Sequence, residues 1–210
     1  MVAKSEEIDN LSSPDSSVPD KPVLVILAGA PGAGRTTFYE SKLKSVFPTI
    51  LRSSSSPLEQ AETNQERSRL LKEQESFVYQ DITVDRQIVQ DARKAGFEVK
   101  VIYVATEDPN LNIGRVLLRV AQGGPFAPLG RVANDYAEGM KQLPELKKQA
   151  DDLMLFDNTS NGRGVRLVAH FSKGELVKLA RSVPKWAQKI FGREFDRWLS
   201  LRERSSQRSR

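Results

Sequence analysis

Residues 23–27 (VLVIL) form an uninterrupted branched apolar run, broken at once by the glycine-rich segment Gly29-Ala30-Pro31-Gly32-Ala33-Gly34-Arg35-Thr36, after which helical spacing returns over residues 36–46. A run of strand length with no polar alternation fits a strand covered on both faces, and such strands belong to parallel sheets whose crossovers are helices. The spacing of the segment is that of G-x-x-x-x-G-K-[ST], a loop in which consecutive backbone N–H groups curl around a phosphate. The following helix N-terminus adds its dipole, and the Ser/Thr hydroxyl holds Mg²⁺. Gly29, Pro31, Gly32, Ala33, Gly34, Arg35, Thr36 and Thr37 are therefore the candidate nucleotide-binding residues, with Thr36 the candidate metal ligand for Mg²⁺ beside ATP. Arg35 stands where the pattern has Lys. Arginine keeps the charge but replaces a slim point cation with a bulky planar fork, so binding is expected to be weakened or re-posed and to outlast turnover.

The rest of the chain alternates in the same way. Strands are expected at 76–80, 98–104 and 153–156, and helices at 57–73, 85–94, 110–120 and 131–143, with Gly96 as a C-terminal stop. That order implies right-handed crossovers and a doubly covered sheet. Beyond residue 161, the runs 166–171 and 175–180 flank Lys173-Gly174 as a hairpin would, and 186–201 has amphipathic helical spacing. The expected fold class is α/β: a P-loop NTPase-like parallel sheet covered by helices, with a C-terminal β-hairpin and helix extension. Residues 1–20 are rich in Ser, Asp and Pro and are expected to be disordered. The core domain is then 21–160, the hairpin and helix packed on it 161–201, and the basic tail 202–210.

Composition removes several functions. The chain has no cysteine and one histidine, which excludes thiolate sites, a Cys nucleophile and multi-histidine metal centres. The longest apolar stretch, 23–30, is far short of the roughly 20 residues a bilayer span needs, and the polar N-terminus does not read as a secretion signal, so a cytoplasmic protein without membrane contact is expected. The net charge of +5 invites a nucleic-acid reading. It is unevenly spread: residues 1–20 carry −4, residues 181–210 carry +6 and the middle only +3. A short arginine-rich end without interleaved aromatics reads as a solvated terminus, so a nucleic-acid partner is not expected.

Five further blocks resemble the zeta toxin family of P-loop kinases over about residues 22–159. Residues 75–80 (ESFVYQ) are similar to its G-E-S-F-x-F-E strand, 95–99 (AGFEV) to A-G-Y-x-V, and 113–124 (IGRVLLRVAQGG) to I-x-R-V-x-x-R-V-x-x-G-G. Ala150-Asp151 and 155–158 (LFDN) resemble its A-D followed by a strand ending F-D-N-S. The resemblance implies an ATP- and Mg²⁺-dependent kinase passing the γ-phosphoryl to a UDP-activated amino sugar, with an antitoxin-like protein partner. It also implies that Arg115 and Arg119 lie on the helix face that reaches the phosphates, which makes them candidate catalytic residues, with a solvated i, i+4 pair of like charge as the plain alternative. The family's base is an Asp shortly after the first helix, whereas residues 51–56 here (LRSSSS) carry no acid. Gln80 replaces a Glu, Pro125 a His, and Ala133, Asn134, Asp135 and Glu138 occupy an otherwise basic helix start. Asp81, directly after its strand, is the remaining candidate for a catalytic or Mg²⁺-facing acid, with a strand-end turn acid as the plain alternative. Asp157 and Asn158 read first as turn residues, His170 as a satisfied histidine and Trp186 as core or partner surface. Two functions follow: a kinase with reduced or lost transfer, or an inactive nucleotide-binding scaffold acting through a partner.

Overall fold

Val23–Ala28 (β1) is buried at all six positions, and its alternate side chains feed two separate cores. Leu24, Ile26 and Ala28 face one layer with Phe77, Tyr79, Val101 and Leu155, while Val23, Val25 and Leu27 face the other with Val78, Ile102, Val104 and Phe156. A strand between two apolar layers has no polar face to show, which is why the run is continuous. The computed structural model describes residues 21–160 and 164–208. The disorder expected for residues 1–20 falls outside them.

Seven strands form one sheet. After β1 come β2 (Ile50–Arg52), β3 (Phe77–Gln80), β4 (Glu98–Ala105), β5 (Asp152–Asp157), β6 (Arg166–Ser172) and β7 (Glu175–Leu179), in the spatial order β2-β3-β1-β4-β5-β6-β7. β1 is parallel to both β3 and β4, β2 and β5 extend the parallel set, and β6 and β7 are antiparallel. The C-terminal hairpin thus prolongs the central sheet at its β5 edge. Its two-residue turn has φ 49° at Lys173 and 82° at Gly174, the left-handed pair that matches the twist of the flanking strands.

The helices are α1 (Arg35–Phe38), continued by a π-helical turn at Tyr39–Leu43, then α2 (Pro57–Glu73), α3 (Arg86–Lys94), α4 (Pro109–Ala121), α5 (Leu129–Gln149) and α6 (Lys185–Arg208). Phe38, Tyr39 and Leu43 cover one face of the sheet; residues from α2, α3, α5 and α6 cover the other.

Three boundaries differ from the sequence reading. β2 was not expected; it is a three-residue edge strand, half-exposed, too short for a period to register. α5 does not stop at Leu143 but runs through Pro144. Proline there deprives the Met140 carbonyl of its intrahelical donor, a cost of about 3 kcal/mol that burial of Leu143 and Leu146 on the same helix offsets. α6 continues past Leu201 into the expected basic tail, where the Arg202 guanidinium lies 4.6 Å above the Trp198 ring and ties the extra turns down.

Candidate functional site

The segment joining β1 to α1 leaves the carboxyl edge of the sheet, where crevices of open α/β sheets lie. Gly29, Gly32 and Gly34 have φ of 140°, 81° and 99°, and each is crowded: a Cβ would sit 2.2 Å from the Val104 carbonyl oxygen, 2.4 Å from that of Asn112 and 2.3 Å from Asn158 Nδ2. Only glycine fits the last two positions.

Two asparagines hold the loop from outside. Asn112, fully buried on α4, donates from Nδ2 to the Pro31 carbonyl at 3.0 Å and accepts from Thr106 Oγ1. Asn158, just after β5, donates from Nδ2 to the Ala33 carbonyl at 2.8 Å, and its own N–H reaches the Ala105 carbonyl at 2.8 Å. The Gly29 and Ala33 N–H groups donate to the Ile82 and Ala30 carbonyls at 3.2 and 3.1 Å, and those of Gly32, Gly34 and Arg35 meet no backbone acceptor among the described residues. Those at the start of α1 have no intrahelical acceptor by position. Thr36 and Thr37 are exposed at that start. Asn112 could have been found in the sequence as the polar residue on the buried face of α4, four positions before Val116. Asn158 reads in the sequence first as a turn residue, at the end of the block that resembles F-D-N-S.

Arg35 does not extend along the loop. Its Nη1 donates to the Asp81 carbonyl at the end of β3. Burial lowers its pKa to about 10, against the opposing pull of Asp81 and then of Tyr103 and Asp135, so it remains a cation at neutral pH. Arg115, half-buried on α4, donates from Nη2 to the Asn158 carbonyl at 2.8 Å and so sits beside the loop. Arg119, one turn on, donates to the Pro125 carbonyl at 2.9 Å and is electrostatically coupled to Arg35. The structure therefore brings Arg35, Arg119 and Asp81 together, with Arg115 joined to the loop through Asn158.

Asp81 accepts from Ser53 Oγ at 2.7 Å and from the Ile82 N–H at 2.6 Å, both on Oδ1. The Ser53 contact exists because β2 pairs Arg52 with Gln80. Asp81 lines a cleft of about 540 Å³ with Pro31, Ser53, Gln60, Phe126, Arg131 and Asp135. Burial raises the pKa of the Asp135 carboxyl, with Arg131 and Arg35 opposing. Gln80 Oε1, Arg119 Nε and Asp135 Oδ2 are sealed from solvent without a hydrogen-bond partner, as at sites shaped for a ligand.

Asp157, Trp186 and His170 lie outside this cleft. Asp157 is 4% exposed and receives Trp186 Nε1–H, Thr159 Oγ1–H and Arg166 Nε–H. His170 Nε2 is 2.7 Å from Asp152 Oδ1. Burial opposes ionisation of Asp152 most, yet the His170 contact and further hydrogen bonding hold its pKa below the usual carboxylate range.

Strand order, the parallel pairing of β1 to β5 and the position of the loop together define a mixed α/β protein with a P-loop kinase-like fold. No protein-family model and no curated protein matches the sequence. Among solved structures, the chain is similar to one in the native AvrRxo1-ORF1:-ORF2 complex, with TM-score 0.58 and 16% identity over 81% of this chain and 63% of that one. The same complex with ATP gives TM-score 0.56 at the same identity and coverage. A chain from the PezAT chromosomal toxin-antitoxin system of Streptococcus pneumoniae gives TM-score 0.49 and 18% identity, over 76% of this chain and 75% of that one. The chain spans less than two thirds of the AvrRxo1 chain it matches. Among the described residues, no helix is long and apolar enough to cross a membrane.

Proposed function

We propose that this is a zeta-toxin-like nucleotide-binding protein whose loop holds the phosphates of ATP and whose transfer to UDP-amino sugars is reduced or lost. The observation that carries the reading is the pair of asparagine amides that fix the Pro31 and Ala33 carbonyls, with the Gly32, Gly34 and Arg35 amides left for an anion. The AvrRxo1 complex determined with ATP supports the choice of nucleotide.

The residues fit the phosphates at the amides of Gly32, Gly34 and Arg35, the Ala33 amide being held by the Ala30 carbonyl at 3.1 Å, and fit Mg²⁺ at the exposed Thr36 hydroxyl, with Arg115 beside them. Bound Mg²⁺ would neutralise phosphate charge. Arg35 fits less well, because its guanidinium is committed to the Asp81 carbonyl. Similarity to a chain from the two-component AvrRxo1-ORF1:-ORF2 complex supports an antitoxin-like partner. The absence of an acid from residues 51–56 supports reduced transfer, and a nucleotide-binding scaffold acting through that partner is the second reading.

Calorimetric titration with Mg·ATP tests it. The native chain should bind well above micromolar, and Arg35→Lys should tighten binding about tenfold, since a slim ammonium can reach the phosphates. Tight native binding, or weaker binding in the variant, would show that Arg35 is an adapted ligand.

A further inference from the structure

The cleft between the loop, β2, β3 and the start of α5 is an unusual place for an anion. Its neighbouring cations are mostly engaged. Arg35 donates to the Asp81 carbonyl and Arg119 to the Pro125 carbonyl. Arg131 is the cation that lines the cleft, and its Nε lies 3.8 Å from Asp135 Oδ2. A nucleoside diphosphate would bring its charge to a wall whose one lining guanidinium already faces a carboxylate.

The acids are in the opposite condition. Asp81 uses Oδ1 for Ser53 and for the Ile82 N–H, and its Oδ2 accepts no hydrogen bond among the described residues. Asp135 Oδ2 is sealed from solvent without a hydrogen bond, Arg131 Nε standing 3.8 Å away, and burial penalises its charge. A carboxylate oxygen sealed from water without a donor, as Asp135 Oδ2 is, is stabilised most by a ligand that brings N–H⁺ or O–H groups, and the unused Asp81 Oδ2 offers a second acceptor. Ser53 and Gln60 add hydroxyl and amide groups to the same wall, and Phe126, exposed at the rim, offers a flat apolar surface to a ring. A volume of about 540 Å³ is within the range of small-molecule sites.

We infer that this cleft binds a polyhydroxylated amine, whose ammonium and hydroxyl groups donate to Asp81 and Asp135, and that it disfavours nucleoside-diphosphate sugars. The inference rests on reading the cleft as the acceptor side of the phosphate loop. It names a ligand class opposite in charge to the one the family resemblance implies.

The full chain is titrated calorimetrically with kanamycin, as a polyamine polyol, and with UDP-N-acetylglucosamine. Kanamycin should saturate at one equivalent and bind at least about tenfold more tightly than the UDP-sugar. Asp135→Asn and Asp81→Asn should each weaken kanamycin about tenfold, with unchanged thermal melts confirming the fold. Arg131→Gln should leave kanamycin binding unchanged or tighter, whereas a diphosphate ligand would lose affinity. Non-saturating kanamycin binding, insensitivity to both Asp substitutions, or a UDP-sugar that binds more tightly and weakens in Arg131→Gln would overturn the inference. Mg·ATP titrations of the same proteins keep the two readings apart. If ATP binds and kanamycin does not, the ligand class is wrong and the nucleotide site stands; if kanamycin binds as described and ATP does not, the reverse holds.

Discussion

Replacing Asp157 by alanine is expected to lower stability by about 3 kcal/mol and the thermal midpoint by about 6–12 °C. This carboxylate is 4% exposed and holds three elements together: Trp186 Nε1 of α6 at 3.2 Å, Thr159 Oγ1 beyond β5 at 2.6 Å, and Arg166 Nε of β6 at 3.2 Å. Alanine would leave the indole N–H, on a residue 5% exposed, without an acceptor, a cost of about 1–3 kcal/mol. Arg166 would be less affected, because its guanidinium is partly exposed and also donates to the Ser182 carbonyl at 2.6 Å. Asp157→Asn retains an oxygen for the indole and should cost about half as much. Chemical denaturation followed by tryptophan fluorescence measures both. A loss under about 1 kcal/mol for the alanine variant would mean that the hub is replaceable by water and that α6 is held by its apolar face alone.

How far the sequence reveals this molecule depends on the range of the interactions concerned. The strand at 23–28, the glycine loop and the helix after it are local, and each has its own signal: a continuous branched run, glycines at positions that turn out to have φ between 81° and 140°, then helical spacing. The hairpin at Lys173-Gly174 is legible for the same reason. β2 is not, because three residues make no pattern and its pairing is decided by β3. Pro144 misleads because local backbone chemistry predicts a stop while Leu143 and Leu146, buried under the helix, keep it going. Within the site, the loop residues are readable but the destination of Arg35 is not. It reaches a carbonyl 46 positions away, set by the register of β1 against β3. Asp135 appears in the sequence only as a departure from a basic helix start; its place opposite Asp81 is a tertiary fact. Asp157 likewise reads as a turn residue until α6 brings Trp186 to it.

Phosphotransfer to UDP-amino sugars by the native chain is expected to be undetectable or slower by at least about a thousandfold than catalysis with both groups in place, and Arg35→Lys alone should not restore it. Two separate roles are concerned. The loop cation acts on the donor phosphates, while a carboxylate near the first crossover would orient the acceptor hydroxyl. Residues 53–55 at that position are serines that line the cleft. Of the acids that meet these serines, Glu59 is exposed and holds Ser54, while Asp81, which lines the cleft, already has one oxygen held by Ser53 and by its own chain, and its peptide carbonyl holds Arg35. Substituting lysine would free that carbonyl and improve the donor side, yet the barrier contribution of the missing acid would remain, so ATP affinity and turnover should separate in the variant. Incubating both proteins with Mg·ATP and a panel of UDP-sugars, then measuring transferred phosphate by mass spectrometry, checks this directly. Robust transfer by the native chain would refute the loss of catalysis, and its disappearance in Asp81→Asn but not in Asp135→Asn would assign the relocated base to the end of β3.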